Sequence, residues 1–198
     1  MHGVVFDDRN GNGTRDSGEI GIAAVQVSDG VTIVQTDAEG RYELDAADHA
    51  IVFVIKPRGW SVRLSPQQRP RFYFSPWTDA GTDFALTKKA EPDRFQVLLL
   101  ADPQPASIKE IGYFDRTIAQ KLAGSKDFAF SVTLGDIVYD HPELYLPFDD
   151  AMAKIGIPSY NVIGNHDLSY GVSRERDTTV SFELRYGPTT YAFHYGGA

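Results

Sequence analysis

The first 88 residues alternate short apolar runs with breaks of Gly, Asp and Pro. Runs such as GVVFD, VTIVQ and IVFVI have the length and the β-branched content of strands, and no segment here has a helical period. TDAEGRYEL places Gly40 between two such runs, as in a tight turn that joins two strands. We therefore predict an all-β sandwich domain over residues 1–88.

The pattern changes after the polar, proline-containing stretch KKAEPD at residues 88–93. RFQVLLLAD and DFAFSVTLGD are continuous apolar runs that each end in Asp, which is typical of strands buried on both faces. NVIGNHD ends a third run in the same way. Between the runs, apolar residues recur at helical spacing: Ile108, Ile111, Ile118 and Leu122 within 107–124, and Tyr145, Phe148, Met152 and Ile155 within 142–156. The order β-α-β-α-β predicts an α/β domain with a parallel sheet over residues 93–198.

Polar residues follow each of these three predicted strands. They are Asp102-Pro103-Gln104, then Gly135-Asp136, then Gly164-Asn165-His166-Asp167. Because ligands bind at the carboxyl ends of parallel strands, we expect these side chains to meet at one edge of the sheet. Carboxylate and amide oxygens together with imidazole suit Mn, Fe or Zn, and a carboxylate that bridges two such ions would support hydrolysis at phosphorus.

The motifs ADPQ, TLGD and GNHD, in this order and each at a strand end, resemble the first three motifs of the calcineurin-like metallophosphoesterases. The resemblance covers residues 93–198. It implies an incomplete α-β-β-α sandwich that hydrolyses a phosphomonoester, phosphodiester or pyrophosphate with water activated by two divalent transition metals. It also implies a small phosphorylated substrate.

The resemblance implies a role for each matching residue. Asp102 and Gln104 would hold the first metal, Asp136 would bridge both metals, and Asn165 would bind the second. His166 would face the phosphoryl group, and Asp167 would orient and polarise His166.

Two departures from the family pattern are expected to weaken metal binding by these residues. Gln104 stands where the family more often has His, and an amide oxygen binds a transition metal less strongly than imidazole. The later GH and GHxH motifs, which supply further metal ligands, are not in this sequence. We therefore expect the natural protein to continue beyond Ala198, and this chain alone to have weak metal affinity and little activity.

A second candidate site lies near the N-terminus, in DRNGNGTRDSGE at residues 8–19. The pattern D-x-[DN]-x-[DN]-G-x₅-E is that of a calcium-binding loop. The predicted ligands are Asp8, Asn10, Asn12, the Thr14 carbonyl, Asp16 and Glu19. The flanking runs are strand-like rather than helical, so the loop resembles those of bacterial surface β-sandwich domains, such as the B repeats of adhesins. A turn held by its own hydrogen bonds, without metal, is the alternative.

Composition and charge restrict the remaining possibilities. The net charge of −8 argues against nucleic acid as a partner, and the chain has no cysteine to form disulfides or thiolate metal sites. No run approaches the length of a membrane span. No leader is recognisable, so we expect a periplasmic or secreted location if a leader is missing and a cytoplasmic one otherwise. The sequence does not indicate an oligomeric state. An alternative function is a calcium-stabilised surface or adhesion module without catalysis.

Overall fold

The computed structural model describes residues 1–47, 49–75 and 82–197. The chain divides into two compact units. The first contains Met1–Arg63, Arg71–Arg94 and Thr190–Ala198, and the second contains Leu64–Pro70 and Phe95–Thr189. Neither unit is one continuous range: residues 64–70 join the second unit, and residues 190–198 join the first.

Over its described residues, the first unit has eight strands in two four-stranded sheets. They are β1 (His2–Asp7), β2 (Gln26–Ser28), β3 (Ile33–Gln35), β4 (Arg41–Glu43), β5 (Val52–Ile55), β6 (Trp60–Ser61), β7 (Tyr73–Phe74) and β8 (Phe84–Lys88). One sheet has the order β4-β1-β8-β6 and the other the order β3-β2-β5-β7. The two-residue strands β6 and β7 are too short to give a sequence pattern.

Aromatic and aliphatic side chains fill the space between these two sheets. The ring of Phe74, on one sheet, lies 4.6 Å from that of Phe84, on the other. Val5, Val27 and Val52 are fully buried, each with 0% of its surface exposed. This arrangement is compatible with the predicted β-sandwich.

A buried ion pair ties three segments of the first unit together. Lys56 Nζ lies 2.6 Å from Glu91 Oε1, and both side chains are at most 5% exposed. The Glu91 carboxylate also accepts from the backbone N–H groups of Gly59 and Gly196, each at 3.1 Å. Burial lowers the pKa of Lys56 despite the nearby carboxylate. Removing either partner would leave an uncompensated buried charge and so destabilise the first unit.

The second unit contains a three-stranded parallel sheet and three α-helices. Its elements are β9 (Gln96–Leu100), α1 (Ile108–Phe114), β10 (Phe128–Leu134), α2 (Tyr145–Ala153), β11 (Ser159–Val162) and α3 (Val180–Tyr186). The strand order is β11-β10-β9. Leu99 and Leu100 stand beside Val132 and Thr133, so the three strands end at the same edge. The hydroxyl of Ser107 caps the start of α1, and a π-helical turn at Asp115–Ala119 continues it.

The core of the second unit confirms one predicted helix face and corrects the other. Tyr145, Phe148, Met152 and Ile155 are at most 3% exposed, as the spacing predicted. Ile108, by contrast, is 61% exposed because it is the first residue of α1, and Ile111 is the buried member of that face. Helix α3 was not predicted. None of the described helices has the length and apolar character that crossing a membrane would require.

Candidate functional site

The ends of β9 and β10 are followed by residues with unusual backbone conformations. Asp102, Gln104, Asp136 and Asp140 have φ values of 59°, 41°, 46° and 56°, in the left-handed region that non-glycine residues rarely adopt. Each such residue costs about 1–3 kcal/mol, and such residues cluster at functional sites. Three of the four were predicted as metal ligands or as the bridging group. Most of the residues with a strained backbone therefore belong to the motifs that predict the metal site.

Gly164 allows the loops after β10 and β11 to approach each other closely. A Cβ atom at this position would lie 2.1 Å from Asp136 Oδ1 and 2.2 Å from the Asp136 backbone nitrogen. No larger residue fits there without a shift of the backbone. The glycine of GNHD thus brings the Asp136 carboxylate against the third strand end.

The side chains from the first two strand ends form one hydrogen-bonded group. The Gln104 amide nitrogen donates to Asp102 Oδ1 and, at 2.7 Å, to Asp136 Oδ2. The Gln104 backbone N–H also donates to the Asp136 carbonyl oxygen, at 3.0 Å. Asp136 Oδ1 in turn accepts from the backbone N–H of His166, at 2.9 Å. Asp136 therefore contacts residues from both neighbouring strand ends, which is the position that a bridging ligand requires.

The carboxylate that partners His166 is Asp140, a residue that the sequence argument did not choose. His166 Nδ1 lies 2.9 Å from Asp140 Oδ1, and the imidazole stacks on Tyr139 with ring centres 4.2 Å apart. The hydrogen bond to Asp140, with the charges of Asp136 and Asp102, raises the pKa of His166. The sequence feature that pointed toward this pairing was a second acidic residue in the loop that carries Asp136.

Asp167 has a different role from the one expected for it. It is fully buried, and its carboxylate accepts from the backbone N–H groups of Ile137 at 3.1 Å, Val138 at 3.4 Å and Gly164 at 2.9 Å. The Tyr145 hydroxyl donates to it as well, at 3.2 Å. Burial raises the pKa of Asp167, and these donors counteract that rise. The prediction that Asp167 polarises His166 is corrected: Asp167 holds the loops after β10 and β11 together from inside.

Removing the negative charge of Asp140 is expected to lower the pKa of His166. Because the pKa of His166 is higher in the folded than in the unfolded state, protonation of His166 stabilises the folded state. This stabilisation is fully present below about pH 6.5 and is lost as the pH rises through the folded-state pKa. NMR titration of the imidazole in the metal-free Asp140→Asn variant should show the drop. Glu143→Gln is the matched control, because Glu143 lies 3.1 Å from His141 instead. An unchanged pKa in Asp140→Asn would contradict the pairing.

The oxygen atoms at this edge are of a type that divalent cations bind, but Gln104 presents its amide nitrogen to the two carboxylates. Asp102 and Asp136 both reach one nitrogen atom of Gln104, so their carboxylates converge on a small volume. Asn165 is exposed at the same edge, and its backbone carbonyl accepts from the Tyr170 hydroxyl at 2.8 Å. Within the described ranges, no group of three or more His, Cys, Asp or Glu side chains is arranged to hold a metal. The predicted set has two carboxylates and two amides, a weak set of donors for a transition metal.

The predicted calcium loop is closed by its own hydrogen bonds. Asp8 is fully buried and accepts from the backbone N–H groups of residues 11–13 at 2.8, 3.2 and 2.8 Å. Glu19 is 9% exposed, and its two oxygens accept from Arg9 N at 2.9 Å and Asp16 N at 3.0 Å. The first and last acidic residues of the pattern therefore both face into the loop.

The middle of the loop brings two amides onto one carboxylate. Asn10 Nδ2 and Asn12 Nδ2 donate to Asp16 Oδ2 at 2.7 and 2.8 Å. Asn12 Oδ1 accepts from Thr14 N at 2.7 Å. The oxygen-only donor set suits calcium, but binding through these amides requires their oxygens to turn inward.

Comparison with known proteins identifies a match in the first half of the chain. Residues 9–89 match the family model described as the N terminal of calcineurin-like phosphoesterase. Over this range the chain is therefore similar to the N-terminal region of calcineurin-like phosphoesterases. The match supports the phosphoesterase prediction and gives no support to the adhesion-module alternative. No curated protein and no solved structure matches the chain.

Proposed function

We propose that the second unit is the metal-binding part of a metallophosphoesterase and that the edge formed by Asp102, Gln104, Asp136 and Asn165 holds its metals. One observation carries the proposal: the side chain of Asp136 accepts hydrogen bonds from residues at both neighbouring strand ends. The family match over residues 9–89 supports it independently, because it comes from a different part of the chain.

The residues at this edge would have different roles in hydrolysis. Asp102, Gln104, Asp136 and Asn165 would be the ligands, with Asp136 shared between two cations. Bound Mn, Fe or Zn would supply Lewis acidity and activated water for attack on phosphorus. His166, whose Nδ1 is engaged by Asp140, would donate to a phosphoryl or leaving-group oxygen through Nε2. Its raised pKa keeps that nitrogen protonated at higher pH than in a free histidine.

Hydrolysis of p-nitrophenyl phosphate by this chain is expected to be slow and to require Mn²⁺ at millimolar concentration. The reason is the donor set, which contains amides where stronger ligands would give tight binding. Initial rates measured against Mn²⁺ concentration, and again after chelation with EDTA, test this. Rates that are the same with and without metal would contradict the proposal, as would the absence of any Mn²⁺-dependent rate.

We further propose that the loop at residues 8–19 binds a structural calcium ion. Calcium at ten times its dissociation constant would stabilise the folded state by about 1.4 kcal/mol, which is roughly 5–10 °C in melting temperature for a domain of this size. Thermal melting with Ca²⁺, and with Mg²⁺ as the control ion, measures this. The shift should shrink in Asp16→Asn. An unchanged midpoint at millimolar Ca²⁺ would contradict the proposal and favour the metal-free turn.

A further inference from the structure

An apolar pocket opens directly beside the candidate metal edge. Its volume is about 460 Å³, and it lies between the end of β9, the loop at residues 101–105, and helix α1 with its π-helical turn. Gln104, whose amide bonds to Asp102 and Asp136, lines this pocket. The same residue therefore belongs to the polar edge and to the apolar pocket, so the two are adjacent.

The lining of the pocket favours an uncharged, ring-sized group. Leu100, Pro105, Phe114 and Ile118 are among the apolar residues that line it. The acidic residue in the lining, Glu110, has a carboxylate oxygen 2.7 Å from the backbone nitrogen of Ala106. A cavity of about 150 Å³ is enough to hold benzene, so this pocket has room for an aromatic ring with a linking atom.

Two features of α1 shape the mouth of the pocket. The Tyr113 ring is 47% exposed, and Arg116 Cζ and Lys109 Nζ lie 5.2 and 5.9 Å from its centre, which holds the ring in place. The helix then widens into the π-helical turn at Asp115–Ala119, which contributes Ile118 to the lining. Such turns are rare and occur frequently at functional sites.

We propose that this pocket receives the apolar, ring-containing group esterified to the phosphate of the substrate. The proposal rests on the proposed function, because it places the phosphate at the edge formed by Asp102, Gln104 and Asp136. It selects aryl phosphoesters over those of small alcohols. The specificity lies in Tyr113 and its apolar neighbours, outside the metal ligands and His166.

Two phosphonates that resist hydrolysis test the proposal on the full chain at millimolar Mn²⁺. Isothermal titration should show phenylphosphonate binding about tenfold or more tightly than methylphosphonate, the scale of burying one aromatic ring. Tyr113→Ala should remove most of that preference and leave methylphosphonate binding unchanged. Tyr113→Phe, the matched control, should keep it.

The possible results separate this inference from the proposed function. Equal binding of the two phosphonates, or a preference that Tyr113→Ala does not alter, overturns the pocket assignment alone. Binding of neither phosphonate overturns the proposed function and this inference with it. A dimer in light scattering that Leu99→Lys dissociates overturns the pocket assignment too, because a second copy would then cover the exposed edge of β9.

Discussion

Replacing Asp136 with alanine is expected to reduce Mn²⁺-dependent hydrolysis of p-nitrophenyl phosphate by about 100- to 1,000-fold, because a shared metal ligand contributes several kcal/mol. Asp136 accepts from the Gln104 amide at 2.7 Å and from the His166 backbone N–H at 2.9 Å. The substitution therefore removes the charge between two cations and also frees two neighbouring groups. Steady-state rates at saturating Mn²⁺, compared with the unsubstituted chain, measure the loss.

Two further variants separate the loss of a ligand from a loss of fold. Asp136→Asn keeps an oxygen that can accept from His166 N but removes the negative charge, so the rate should remain low while the fold is retained. Asp127→Ala is the matched control, because Asp127 is an exposed acidic residue directly before the same strand β10, far from its carboxyl end. Its rate should be unchanged. Full activity in Asp136→Ala would contradict the bridging role.

Replacing Asp167 with alanine is expected to destabilise the second unit by about 4 kcal/mol or more. The carboxylate accepts from the backbone N–H groups of Ile137, Val138 and Gly164 and from the Tyr145 hydroxyl, and it is fully buried. Each buried donor left without a partner costs about 1–3 kcal/mol. Urea unfolding followed by far-ultraviolet circular dichroism measures the free energy. Hydrogen exchange should show the loss of protection at the amides of these backbone donors.

Asp140→Ala is the matched control for this prediction. Asp140 is an exposed residue that contacts His166, so its removal should change the free energy of unfolding by about 0.5 kcal/mol or less. The two substitutions should therefore have different effects: loss of Asp167 should lower the free energy of unfolding, and loss of Asp140 should change the pKa of His166. Equal unfolding free energies for Asp167→Ala and Asp140→Ala would contradict the buried role of Asp167.

The position of the candidate site was accessible from the sequence because it depends on strand ends. Apolar runs that stop at Asp102, Asp136 and Gly164 predict parallel strands, and parallel strands bring their carboxyl ends to one edge. The observed order β11-β10-β9 and the contacts of Asp136 agree with that expectation. Periodicity also identified the buried face of α2, since Tyr145, Phe148 and Met152 recur at helical spacing over a whole helix.

The roles of single side chains at this edge were not accessible in the same way. Adjacent residues after a strand point in different directions, and the 3₁₀ turn at Asn165–Asp167 directs Asp167 inward and leaves His166 partly exposed. The sequence alone does not reveal that rotation, so the partner of His166 was misassigned. Asp140 has a φ of 56° and its carboxylate lies 2.9 Å from His166 Nδ1, a pairing that the presence of a second acidic residue in the loop does not identify by itself. Ile108 was misplaced because periodicity does not mark where a helix starts.

Anomalous diffraction at the manganese edge, from crystals of this chain soaked in millimolar Mn²⁺, tests the metal site most directly. We expect a peak within coordination distance of Asp102 and Asp136, with the Gln104 side-chain oxygen turned toward it and the peak lost in Asp136→Ala crystals. Crystals that show no peak at this edge, or a peak only elsewhere in the chain, would contradict a metal-dependent function for the three strand ends.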